Sequence, residues 1–484
     1  TEPGRFTMHD LLRAYAAELT ATTDPEPDRH AALTRLFDHY LAAATAATTT
    51  LGHHRLDPRP RSLRPAPVTP APPVDDPKAA RTWLGDERAN LVAVCAHAAD
   101  HGWHGHACEL AAALFRYLDI GGHYVVALTI HTHALHAARR ADDPDAEGYA
   151  LTGLGFVHWR QGRYPQAVGH HRQALDIFRQ TGHLDGQAAA LAHLGMAHWR
   201  QGRYPQAVDE HLRAVELFRR TDNRNGQASA LYYLGLVHWR QGCYPQAADD
   251  HRRALNIFRQ TGNRDGQAYT LTSLGTVFGL QGDFEQGVRH LHLALALFEQ
   301  QGDRVGQGYV LTNLGVSYCR RGEVERAVEH HHRALGLFER LGSRIGQSYA
   351  LTHLGVARCR QGRGEQAVDH HRRALELSRD TGYRPVEVQA LNGLGEALRT
   401  SGRTAEAHAR HAEALALAVE TGERYEQARA HEGIAAAHQV TGDLTAARHH
   451  WADALDLYTD LGVPEAGAVR ARLAALADQD RAYR

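Results

Sequence analysis

The sequence predicts an all-α solenoid of about eight 40-residue helix-turn-helix repeats with degenerate capping helices, and three observations predict it. The first is self-similarity. LGFVHWRQGRYPQAVGHHRQALDIFRQTG, starting at Leu154, returns from Leu194 as LGMAHWRQGRYPQAVDEHLRAVELFRRTD and from Leu234 as LGLVHWRQGCYPQAADDHRRALNIFRQTG, each copy 40 residues after the last. The Leu-Gly pair recurs at 274, 314, 354 and 394 and drifts to Ile434-Ala435 in the eighth copy. A fixed period of this kind marks a repeat array, in which each unit buries its apolar face against its neighbours. The second observation is periodicity within one copy. Leu151, Leu154 and His158, then Ala167, His171, Ala174, Leu175 and Phe178, fall at three-four spacing on either side of a Gln161-Gly162 break, which gives two amphipathic helices joined by a tight turn. The third is punctuation. Gly162 and its equivalents to Gly442 suit the left-handed position that ends a helix. Pro165, Pro205 and Pro245 fit the first turn of the second helix, where a missing amide hydrogen costs nothing. Asp185 or a neighbouring Asn or Asp is placed to cap the next first helix.

Composition narrows the function classes. Apolar residues are 43% of the 484-residue chain, and no apolar run approaches the roughly 18 residues of a membrane span. The N-terminus shows no charged-then-apolar signal, so a cytoplasmic location is expected. Five cysteines, Cys95, Cys108, Cys243, Cys319 and Cys359, are few and odd in number and read as free thiols. A net charge of −1, from 54 basic and 55 acidic residues, points to neither nucleic acid nor a membrane surface as partner. Lys78 is the single lysine and follows Pro77 rather than glycine, so a phosphate-binding loop is excluded. Neither a catalytic triad nor a Cys/His pair is marked out, and the chain reads as a binding protein and not an enzyme.

Six stretches follow along the chain: a short N-terminal segment at 1–22, a helix at 23–55, a proline-rich linker at 56–77, degenerate helical repeats at 78–143, the eight repeats at 144–463 and a C-terminal capping helix at 464–484. The repeats resemble the tetratricopeptide family, through Leu154-Gly155, His158, Ala167, His171 and Ala174, with histidine standing where the family carries two aromatics. The resemblance implies a right-handed superhelix whose first helices line a concave groove. The period of 40 residues, not 34, resembles the family's long-repeat subgroup. The N-terminal stretch Phe6-Thr7-Met8-His9-Asp10-Leu11-Leu12 resembles the MHD motif of the NB-ARC nucleotide switch. With the linker and repeats behind it, the order resembles the C-terminal half of STAND-type bacterial regulators of the antibiotic regulatory protein family. That resemblance implies that Met8, His9 and Asp10 sense nucleotide only beside upstream domains, which would hold the ATP or ADP. No cofactor is expected in this chain.

Thirty-six histidines invite a metal reading, but adjacent pairs such as His170-His171 and His370-His371 point about 100° apart on a helix and cannot chelate together, so no metal ligand is assigned. The column His171, His211, His251, His331, His371 and His411 takes a buried aromatic position and is expected to pack between helices with a hydrogen bond. The family's groove positions fall on Trp159-Arg160, Trp199-Arg200 and Trp239-Arg240, on Tyr149, Tyr232, Tyr233, Tyr269, Tyr309 and Tyr349, and on Asn313, Arg320 and Arg360. Tryptophan and arginine together are the stuff of binding hot spots, though Trp-Arg pairs can equally stack on one another over the turn. The three pairs form a ladder of exposed rungs suited to an extended peptide or protein segment, with the regulator's own upstream domains among the candidates. The function expected is ligand- or partner-sensing autoregulation within a transcriptional regulator of secondary-metabolite (antibiotic) synthesis. The alternative is a free-standing adaptor or scaffold for a peptide or partner protein, such as a phage-protein sensor.

Overall fold

The computed structural model describes residues 8–51 and 72–482, so most of the proline-rich stretch, and Phe6-Thr7 ahead of the MHD-like motif, lie outside the described residues. Every regular element among the described residues is a helix, and none is long and apolar enough to cross a membrane. The chain divides into two compact units, Thr1–Leu194 and Gly195–Arg484.

The first unit holds α1 (Asp10–Thr23), α2 (Glu26–Thr50), α3 (Pro77–Asp86), α4 (Arg88–Asp100), α5 (His104–Ile120), α6 (Tyr124–Arg140), α7 (Pro144–Arg160) and α8 (Tyr164–Thr181), and the division falls within α9 (Leu184–Arg200). From His104 to Leu444 a helix begins every 20 residues, so α5 and α6 already keep step with the repeats. Phe37 and Leu41 of α2 pack with Leu84, Leu91, Leu110 and Leu114 into one core. Trp103 Nε1 donates to Thr34 Oγ1 at 2.8 Å to tie α2 across it.

The second unit continues the pairs with α10 (Tyr204–Arg220), α11 (Arg224–Gln241), α12 (Tyr244–Gln260), α13 (Arg264–Leu280), α14 (Phe284–Gln301), α15 (Arg304–Arg320) and α16 (Val324–Arg340). After them come α17 (Arg344–Arg360), α18 (Gly364–Thr381), α19 (Arg384–Thr400), α20 (Thr404–Thr421), α21 (Arg424–Thr441), α22 (Leu444–Asp460) and α23 (Glu465–Ala482). Gly162 and its seven equivalents to Gly442 turn the chain with φ between 72° and 88°, the left-handed region that costs glycine nothing.

Two columns explain the close packing within and between pairs. The Leu-Gly glycine receives the buried histidine of the second helix: a Cβ on Gly355 would lie 2.5 Å from the His371 ring, and one on Gly235 2.7 Å from His251. The phenylalanine column does the same for the next repeat. A Cβ on Gly266 would meet the Phe258 ring at 2.5 Å, while the adjacent Gln267 Nε2 donates to the Phe258 carbonyl at 3.1 Å and satisfies an orphan acceptor at the helix end.

Two expectations need correction here. The histidine column is buried, but neither ring nitrogen of His211, His251, His331 or His371 finds a hydrogen-bond partner, because the ring lies against glycine backbone whose polar groups are already spent within the helix. Only the His411 ring, donating from Nδ1 to Asn392 Oδ1 at 3.1 Å, shows the expected bond among these five. Helix capping falls not at Asp185, which lies inside α9, but two residues earlier, and the neighbouring Asn or Asp expected there does the capping in three of the repeats. The cap column is His183, Asn223, Asn263, Asp303 and Ser343, whose side chains accept from the amide three residues on.

Candidate functional site

In the second unit the first helices of successive pairs form an inner wall around a cavity of about 410 Å³. Trp239 and Arg240 of α11, Asn313 and Arg320 of α15, and Tyr349, His353 and Arg360 of α17 face it from one side. Tyr425, Glu426 and Arg429 of α21 and Tyr458 of α22 face it from the other. The wall is built this way because residues 40 apart occupy one column, so a single helix face, repeated, becomes a continuous surface.

Ion pairs close the cavity. Arg240 binds the Glu423 carboxylate, with the two side chains only 11% and 12% exposed. Glu423 stands in the cap column of α21 yet makes no cap, its carboxylate being turned to Arg240 instead. Arg424 donates to the Gln241 carbonyl at 3.3 Å, and Leu461 sits so close to Gly242 that any Cβ there would overlap it. A second clasp joins α15 to α23: Arg320 donates to Glu465 Oε1 at 2.7 Å and to the Tyr425 hydroxyl at 2.5 Å, and Tyr425 donates to the same Glu465 oxygen at 2.7 Å. Burial pushes the Glu423 carboxyl above the usual carboxylate range, opposed by Arg240, and raises the hydroxyl pKa of Tyr349 and Tyr425.

Five buried polar atoms on residues of this wall have no partner within the protein: both ring nitrogens of His331, His353 Nε2, Gln389 Oε1 and Glu465 Oε2. Burial holds His353 down to about 3, so its imidazole is neutral and offers a donor or an acceptor. Arg360 is exposed and its guanidinium is bound to the Cys319 carbonyl, so among the described residues its charge is not spent on a carboxylate of the chain. The cavity thus presents a cation, neutral polar atoms and aromatic walls to whatever enters.

The structure brings together Trp239, Arg240, Asn313, Arg320, Tyr349 and Arg360, and Tyr349 donates to Asn313 Oδ1 at 3.0 Å. It leaves the other sequence-predicted groove residues off the cavity lining. Tyr232 is buried at 7% exposure, edge-on to Tyr233, and Tyr233 stacks on His211. Tyr269 and Tyr309 meet Phe298 and Phe338 edge-on, as Tyr149 meets Phe178 in the first unit. The tryptophans, expected to be exposed, are half-buried: Trp239 packs against the core, and Arg240 and Arg200 lie over Trp239 and Trp199 at 4.6 Å. Arg160 departs from that pattern, pairing with Asp119 at 2.7 Å and lying over Tyr124 at 5.8 Å. The arginines are therefore engaged within the chain, and the second unit's wall is not an open ladder for an extended segment. At the N-terminus, His9 caps α1 by accepting from the Leu11 amide at 3.3 Å, beside an exposed Met8; the side chain of Asp10 lies outside the described residues.

Sequence reasoning missed the opposite wall. There Gln389 and Arg429 stand in the column of Tyr269, Tyr309 and Tyr349, and on the near side the missed His353 stands in that of Asn313, so following each column to the last repeat would have found them. Glu423 and Glu465 carried no such signal, because only the closed packing sets them opposite Arg240 and Arg320.

A tetratricopeptide repeat family model matches residues 122–180, 146–220, 186–260, 226–300, 266–340 and 346–418. The regulatory protein AfsR of Streptomyces griseus is 33% identical over 168 residues, which are 34% of this chain and 17% of that protein, so the match spans about a sixth of its length. Among solved structures, a signal transduction ATPase with numerous domains (STAND) from Pyrococcus horikoshii, with a tetratricopeptide repeat sensor, aligns with a TM-score of 0.52 at 15% identity over 71% of this chain and 53% of its own. The apo form of the quorum sensor NprR from B. thuringiensis aligns with a TM-score of 0.50 at 12% identity, over 70% of this chain and 99% of its own. At such identities these two likenesses establish the fold.

Proposed function

The chain belongs to the tetratricopeptide repeat family, and from that premise we propose that it is the ligand-sensing, autoregulatory region of a STAND-type transcriptional regulator of secondary-metabolite (antibiotic) synthesis. One observation carries the sensing half of this reading: a cavity closed by buried ion pairs, whose wall holds five unpartnered polar atoms and Arg360. The occupant it suits is compact, an end or tight loop of a peptide or partner protein bearing a carboxylate for Arg360 and a flat apolar group for Trp239 and Tyr349. A ligand carboxylate competing for Arg240 or Arg320 would loosen the clasps, which is how binding reaches the rest of the molecule. The chain works by binding, and nucleotide chemistry belongs to upstream domains.

The regulator half is supported by the likeness to a regulatory protein and to a STAND protein with a repeat sensor. It is supported too by α1, whose Leu11, Leu12, Tyr15 and Leu19 are 45% to 75% exposed and would be covered by a preceding winged-helix module. A phosphate-binding loop and a DNA-binding domain encoded upstream of Thr1 would bear this out, and an upstream sequence lacking both would favour the free-standing adaptor. Sensing is tested by panning a peptide library on the full chain and measuring the selected peptide by calorimetry. Arg360→Ala should weaken it by about 30-fold, the cost of losing one anchoring arginine, with the melting temperature unchanged. Full-strength binding by Arg360→Ala and by His353→Ala would place recognition outside this cavity.

A further inference from the structure

The eighth repeat breaks a column that the other seven keep. Leu151 and its equivalents every 40 residues to Leu391 are all leucine, each 5% exposed or less, and the next residue in the series is His431 on α21. A polar ring in an apolar column is unfavourable unless its nitrogen is satisfied. His431 Nδ1 lies 2.9 Å from His450 Nδ1 and 3.5 Å from Asp453 Oδ2, and the three ligand atoms all fall within 4.8 Å of one another. His450 and Asp453 stand three apart on α22 and so share a face, directed at α21.

The neighbouring repeats show which of the three is new. His170 and His330 occupy the column of His450 and stack on His158 and Tyr318, as His450 stacks on His438, so that histidine is ordinary for the array. The column of Asp453 holds Gln173, Arg213, Arg253, Leu293, Arg333 and Arg373, and turns acidic at Glu413 in the repeat before it. The last repeat has therefore exchanged a leucine for an imidazole beside a histidine and an acidic column position already in place. His449 adds a further imidazole, its Nε2 3.5 Å from Asp453 Oδ2.

We propose that His431, His450 and Asp453 form a site for a divalent transition-metal ion of the zinc class, with the fourth position open to water or to His449. Two imidazole nitrogens and one carboxylate oxygen are the donors of such sites, and metal–ligand bonds of about 2.0–2.1 Å in a tetrahedron set ligand atoms roughly 3.3 Å apart, a spacing the 2.9 and 3.5 Å separations bracket. Screening single helices for chelating histidine spacing passes this set by, since it pairs one helix with an i, i+3 couple on the other. A bound ion would clip α21 to α22 in the repeat whose N-terminal end carries Glu423.

Cobalt(II) is the direct probe, because tetrahedral coordination gives strong visible absorption and octahedral coordination in solvent does not. The full-length chain should take up one Co²⁺ with a tetrahedral spectrum, displaced by Zn²⁺, and Zn²⁺ should raise its melting temperature. His431→Leu, which restores the residue of the other seven repeats and should fold, is expected to lose the spectrum and the thermal shift. Loss of a residue that merely hydrogen-bonds a metal ligand weakens metal sites about 10–100-fold, so the removal of a ligand should weaken Zn²⁺ binding by about 100-fold or more. Asp453→Asn should weaken it in the same direction. A wild-type spectrum of octahedral type, or identical titrations of wild type and His431→Leu, would overturn the proposal and reduce the His431–His450 contact to a hydrogen bond.

Discussion

The α11–α12 pair and the α21–α22 pair are built to one plan and differ in what matching columns carry. Both end their first helix on a left-handed glycine, Gly242 and Gly442, and both seat a fully buried alanine at the same place in the second helix, Ala254 and Ala454. Yet the column of Leu231 holds His431, and the cap Asn223 is replaced by Glu423, whose carboxylate leaves the helix end for Arg240. The shared columns carry packing; the exchanged ones carry polar chemistry. In an array whose backbone is fixed by repetition, a departure from the column is the informative signal.

The comparison can be broken most severely at a shared column. Ala254→Arg places a long cation in a fully buried site, and either pair should respond alike, so Ala254→Arg and Ala454→Arg should each cost about 4 kcal/mol or more in chemical denaturation. Tolerance at either site would mean that the two pairs are not packed equivalently.

A smaller effect comes from the histidine column. Burial pushes His211, His251 and His371 down to about 3, from 6.5. Their folded pKa lies below the unfolded one, so their stabilisation is complete above pH 6.5 and is lost as pH falls from there toward 3. Between pH 7.5 and 5.5 each should cost about 1 kcal/mol. Replacing His251 with glutamine should flatten the denaturation midpoint against pH, and an unchanged slope would show that these rings take up protons in the fold. The smallest effect belongs to the exchanged column: without metal, His431→Leu should change stability by about 1 kcal/mol or less, toward the more stable side, since it returns a leucine to the column. A large loss would mean that His431 holds the hairpin together by itself.

The repeat number, the helix pairs and the turn glycines were legible in the sequence because period, spacing and left-handed turns are local properties. So was half the site, since Trp239, Asn313, Arg320 and Tyr349 lie in columns that line the inner wall. The other half was not. Trp239 was expected to be exposed because its column suggested an open face, and Arg240 to be available because Glu423 is 183 residues away in sequence. Closure depends on the accumulated rotation of several repeats, which no single repeat encodes. The Gly-Gln pair that receives Phe258 was local and visible, but its meaning needed the neighbouring helix.

A double-mutant cycle on Arg240→Met and Glu423→Met, in the full chain, measures the closure itself. Each single change leaves a buried charge unpaired and should cost about 3 kcal/mol, whereas the double change should cost much less, giving a coupling of about 2 kcal/mol or more. Additive losses, with no coupling, would contradict a cavity held shut by this pair.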